Sequence, residues 1–87
     1  MATRDKTGPE IEYPTRWGYR IVGTSEADIR AHVLDLLADV EHELVLARQS
    51  SRGRYVSLHL NLIVHDEAQR LAIFEHLVQH EAVRFVV

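Results

Sequence analysis

From Val56 to Val64 apolar and polar residues alternate almost without a break. Val56, Leu58, Leu60, Leu62 and Val64 fall on one side. Tyr55, Ser57, His59, Asn61 and Ile63 fall on the other. Five apolar positions at period two predict a half-buried antiparallel strand. A shorter alternation runs from Arg16 to Val22, with Trp17, Tyr19 and Ile21 opposite Gly18, Arg20 and Val22, and Gly23 ends it. The period then changes. Ile29, Val33, Leu36, Leu37 and Val40 form one helical stripe. Thr24 or Ser25 is placed to cap it, and Glu26 and Asp28 suit its first turn. The spacing predicts a helix over 25–40. Leu44 to Ala47, continued by Arg48, Gln49 and Ser50, reads as a second strand. Asp66 is an N-cap and Gln69 completes a capping box, opening a helix with a Leu71, Phe74, Leu77, Val78 stripe that ends near His80. Val83, Phe85 and Val87, alternating with Arg84 and Val86, make a fourth strand.

The order strand, helix, strand, strand, helix, strand is the ferredoxin-like split βαβ arrangement. Its crossovers are right-handed. The expected fold is α+β, a two-layer sandwich. A four-stranded antiparallel sheet in the order 4-1-3-2 carries both helices on one face. The other face is open. On this reading it presents Gly18, Arg20 and Val22, then Ser57, His59 and Asn61, then Arg84 and Val86. Residues 1–12 are polar, contain Gly8 and Pro9 and have no period, which predicts a flexible arm ahead of one domain over 13–87.

Composition narrows the function classes. The 87 residues carry a formal net charge of −3, without the basic excess of a dedicated nucleic-acid binder. Nucleic acid is therefore disfavoured as a partner. There is no cysteine, so disulfides, cysteine zinc sites and thiol catalysis are excluded. That absence favours a reducing compartment. No apolar run approaches the roughly 20 residues of a membrane span. The expectation is a cytoplasmic protein without a membrane partner.

Several short motifs carry a resemblance. Tyr13-Pro14, the strand end Tyr19-Arg20-Ile21-Val22-Gly23, the segment Ser50-Ser51-Arg52-Gly53-Arg54-Tyr55 and the terminal Val83-Arg84-Phe85-Val86-Val87 resemble the YbeD-like family of small bacterial proteins. The likeness spans about Glu12 to Val87. Gln49 stands where the family pattern has a proline, and Arg20 where lysine is commoner. The resemblance implies a ferredoxin-like domain similar to ACT regulatory domains, and a regulatory link to lipoate metabolism. It implies no catalytic residues and no cofactor.

Six features are candidate sites. SSRGRY, residues 50–55, lacks the Walker spacing and leads into a strand, so a hairpin turn held by Gly53 and the serines is preferred over a phosphate cradle. Arg52 and Arg54 at its tip could still touch an anion. The RNA-recognition motif is one residue out of register here, and its aromatic platform is missing beyond Tyr55. His76 and His80 have a metal-binding spacing but no third ligand and no HExxH glutamate, and they read as exposed helix-end residues. The open face is the better candidate. Arg20 and Arg84, with His59 and Ser57, could grip a carboxylate or phosphate, and Val22 and Val86 would form an apolar centre suited to a homodimer. Finally, an ACT-like ligand loop would use Gly23 and Thr24. Leu34 and Ile73 sit off their helical stripes and together could mark a partner surface. No nucleophile–base pair is recognisable. The expected protein is a non-enzymatic regulatory or interaction module acting on a small anionic ligand or a protein partner. The alternative is an ACT-like carboxylate or amino-acid sensor.

Overall fold

A computed structural model describes residues 11–50 and 52–87. The elements are β1 (Thr15–Gly23), α1 (Glu26–Leu36), β2 (His42–Gln49), β3 (Val56–Val64), α2 (Glu67–Val78) and β4 (Val83–Val86). The two longest strands lie side by side. β1 and β3 pair antiparallel from Thr15↔Val64 to Gly23↔Val56. β2 flanks β3 and β4 flanks β1, giving the order β2-β3-β1-β4, which is the expected 4-1-3-2 read from the other edge. Most of the expected N-terminal arm, residues 1–10, lies outside the described residues, as does Ser51.

The helix starts are set by their caps. Ser25, not Thr24, caps α1: its hydroxyl accepts from the Asp28 amide at 3.1 Å. Asp66 accepts from the Gln69 amide at 2.7 Å, and the Gln69 side chain reaches back to accept from the His65 amide at 2.6 Å. The Asp28 and Gln69 amides are among those that a first helical turn leaves without partners, and the Gln69 side chain ties back to the residue before the cap. α1 ends at Leu36, short of the expected Val40. Ile29, Val33 and Leu37 from its stripe are buried, and Leu36 and Val40 pack against the core from its margin.

All five even-numbered apolar residues of β3 are buried, together with Tyr19 and Ile21 of β1. They meet Ile29, Val33, Ile73 and Leu77 from the helices. Here α2 departs from the expected stripe. Ile73 and Leu77 are its buried residues, while Leu71, Phe74 and Val78 are exposed. At about 100° per residue, Leu71 and Val78 lie more than about 130° around the helix from Ile73. The helix is turned so that another flank meets α1. On that flank the His32 Nε2–H donates to the His76 carbonyl at 2.8 Å, and the His32 and His80 rings meet at a 45° tilt with centroids 4.8 Å apart. His80 is therefore half-buried rather than on the solvent side, and its Nδ1 accepts from the Ala82 amide at 3.0 Å. Of the two residues placed off their stripes, Leu34 is exposed, but Ile73 is core and marks no partner surface.

β4 also departs from simple alternation. Ile21 pairs with Val86 and Val22 with Phe85, but Gly23 pairs with Val83. Arg84 is the extra residue of a β-bulge, which leaves it without a partner on β1. The bulge reverses the facing of the residues after it. Val86 turns toward the helices and is buried, while Phe85 is exposed beside Val22. Beyond Val86, the Arg20 and Val87 backbones exchange both hydrogen bonds, at 3.1 and 2.9 Å. The expected neighbours Arg84 and Val86 on the open face are thus replaced by Phe85 and Val87.

Candidate functional site

The strand register sets the open face row by row. One row reads Val45, His59, Arg20, Val87. The next reads Arg48, Ser57, Val22, Phe85. Arg48 reaches this face through a second bulge. β2 pairs Leu46 with Leu58 and then Arg48 with Ser57, leaving Ala47 as the extra residue. Without that bulge, Arg48 would have pointed to the helix side, since successive side chains alternate faces.

The two rows meet in a hollow of 270 Å³ lined by Arg20, Val22, Arg48, Ser50, Tyr55, Val56, Ser57, Phe85 and Val87. Arg20 and Arg48 stand on opposite sides of it, on strands separated by β3. Ser57 lies between, directly opposite Arg48 on one side and Val22 on the other. Arg20 is partly oriented: its Nε–H donates to His59 Nε2 at 3.3 Å. That bond leaves the terminal N–H groups of its fork for another acceptor. Among the described residues no carboxylate lies within ion-pair range of Arg20 or Arg48; the one such pair spanning the sheet is Arg16 with Glu43 at 3.5 Å. The apolar part of the lining is solvent-facing, with Phe85 52% and Tyr55 49% exposed.

The SSRGRY hairpin forms one end of this site. Gly53 has φ 68°, a conformation that favours glycine. The Ser50 hydroxyl accepts from the Arg54 and Tyr55 amides at 3.0 and 3.3 Å, and the Ser50 carbonyl accepts from the Gly53 amide at 2.9 Å. These bonds make a closed turn. The Gly53, Arg54 and Tyr55 amides are thus engaged within the loop and do not converge on an anion. A shallower hollow lined by Ser50, Arg52, Arg54 and Tyr55 adjoins the first and shares Ser50 and Tyr55 with it. Arg52 and Arg54 therefore stand at the rim of the same surface as Arg20 and Arg48.

The Gly23–Thr24 loop is built differently. Gly23 is buried, and a Cβ on it would lie 2.1 Å from the Ala82 carbonyl oxygen. The Thr24 amide donates to that carbonyl at 2.9 Å. Close packing against the α2–β4 turn accounts for the glycine, and the Thr24 amide is already engaged. Among the described residues no three His, Asp or Glu side chains come together as a metal site.

Of the residues singled out from the sequence, the structure gathers Arg20, Ser57 and His59 at the hollow and Arg52 and Arg54 at its rim. It leaves Arg84, Gly23 and Thr24 elsewhere. Arg48, Phe85 and Val87 were missed, because two bulges without a sequence signal bring them in.

The same chain pattern occurs in known proteins. A family described as a protein of unknown function, DUF493, matches residues 8–87. This chain belongs to that family. An uncharacterized protein of Campylobacter jejuni, Cj0253, is 32% identical over 74 residues, covering 83% of each chain. DUF493 and the YbeD-like family are the same family, so the resemblance read from the motifs holds. Two solution structures of protein HP0495 from Helicobacter pylori share the fold. One has a TM-score of 0.81 at 21% identity, covering 100% of this chain and 96% of the other. The other has a TM-score of 0.67 at 24% identity, covering 92% and 93%. None of the helices in the described residues is long and apolar enough to cross a membrane.

Proposed function

We propose that this DUF493 protein is a non-enzymatic binding module of regulatory type that recognises an anionic ligand or partner through its open sheet face. One observation carries the reading. Arg20 and Arg48 converge on a partly apolar hollow, and among the described residues neither has a carboxylate within ion-pair range. Guanidiniums with no ion-pair partner among the described residues, on a half-apolar floor, suit carboxylate recognition. The lipoate link rests on the family resemblance alone and is not needed for this proposal. The sensor alternative moves with the geometry, from the closed Gly23 loop to the sheet face.

The test is a thermal-shift comparison of the wild-type chain and the Arg20→Ala/Arg48→Ala variant with acetate, inorganic phosphate and a short acidic peptide. A ligand that binds only the folded state raises the melting temperature as its occupancy rises. The wild type should respond to at least one anion and the variant to none, with unliganded melting points that agree. A variant that responds as the wild type does refutes the sheet-face reading.

A further inference from the structure

The lining of the hollow says more than that an anion fits. We infer that it takes a small monocarboxylate with an apolar body, the carboxylate held between Arg20, Arg48 and Ser57 and the body lying on Val22, Phe85 and Val87. This inference rests on the sheet-face reading above and narrows it.

Size comes first. At 270 Å³ and open to solvent, the hollow falls below the roughly 300–1,000 Å³ of drug-sized pockets, so it suits a small ligand. Chemistry comes next. The polar groups are two guanidiniums and the hydroxyls of Ser50, Ser57 and Tyr55, and the Ser50 hydroxyl already accepts two backbone hydrogen bonds. The rest of the wall is Val22, Val56, Phe85, Val87 and the ring of Tyr55. The two planar forks accept phosphate as well as carboxylate, and the Gly53, Arg54 and Tyr55 amides of the adjoining turn, all bonded within it, add nothing for a phosphate. The apolar wall decides between them, because only a ligand with an apolar body covers it. An apolar body then covers Phe85 and Val22, which water otherwise faces.

The experiment is an amide-resolved NMR titration of the full chain with four probes: acetate, hexanoate, hexanamide and inorganic phosphate. Each methylene buried is worth about fourfold in affinity. Hexanoate should therefore bind at least tenfold more tightly than acetate. Its shifts should centre on Val22, Ser57, Phe85 and Val87. Hexanamide should lose at least tenfold against hexanoate. Phe85→Ser should weaken hexanoate by at least threefold and acetate by less, so that the ratio of their affinities falls. If acetate, phosphate and hexanoate bind alike at this face, the apolar-body inference is overturned and the anion-binding face survives. If no anion binds there, both fall. Hexanoate shifts confined to the helical layer, or unchanged by Arg48→Ala, also overturn the inference.

Discussion

Gly23 shows how strictly one residue can be fixed by its neighbours. A methyl group there would overlap the Ala82 carbonyl and crowd the Ile29 side chain at 2.8 Å. Backbone cannot yield as a side-chain tip can. Gly23→Ala should therefore cost about 3 kcal/mol or prevent folding, read as a lower urea midpoint. Gly18→Ala is the control, because its new Cβ meets only the Asn61 side-chain oxygen at 3.0 Å. It should cost less than about 1 kcal/mol. Tyr19 makes a different kind of prediction. Its hydroxyl donates to the Arg70 carbonyl at 2.7 Å, and burial pushes its pKa above 10.0. The Arg70 guanidinium opposes that shift, and Tyr13 adds to it. The folded state thus holds this proton more tightly than the unfolded state. The associated stability is present below pH 10.0 and is lost as pH rises through the raised folded value. Tyr19→Phe should cost about 1 kcal/mol near neutral pH. It should also flatten the decline in unfolding free energy above pH 10.0.

At the scale of elements, the long strands were legible because their alternation is uninterrupted and one face is fully buried. β3 could be placed from Val56 to Val64 on that ground alone. The short β4 was legible as a strand but not in its facing, because one extra residue inverts everything after it. The same is true of Arg48 beyond Ala47. α2 was legible in position and caps but not in rotation. Of the expected stripe only Leu77 is buried, and Ile73 joins it in place of Leu71, Phe74 and Val78. The candidate site was only partly legible for the same reason: Arg48, Phe85 and Val87 reach it through two bulges. Paired substitutions check both corrections by denaturant unfolding. Val86→Ala should cost about 1–2 kcal/mol, and Phe85→Ala under about 0.5 kcal/mol. Ile73→Ala should cost about 2–4 kcal/mol, and Phe74→Ala well under half of that. Equal losses within either pair would restore the simple alternation or the larger stripe.

Across the whole molecule the net charge of −3 conceals a division between the two layers. α1 carries Glu26, Asp28 and Asp35 against Arg30, and α2 carries Glu67 and Glu75 against Arg70. The open face and its hairpin carry Arg20, Arg48, Arg52 and Arg54, and the Glu43 carboxylate there is already paired with Arg16. An approaching anion therefore meets a local positive field although the chain as a whole is negative. Arg20 and Arg48 flank the hollow, while Arg52 and Arg54 stand at its rim. The two pairs should separate by range. Salt shortens the Debye length to about 8 Å at 0.15 M, and exposed rim charges lose their influence first. Hexanoate affinity should fall as salt is raised from about 20 mM to about 500 mM. The Arg52→Ala/Arg54→Ala variant should bind more weakly than the wild type at the low end, and equally at the high end. Hexanamide should show no salt dependence in either protein. A rim variant that loses the same factor at every salt concentration would mean that Arg52 and Arg54 contact the ligand directly, and that the field of the face does not steer it.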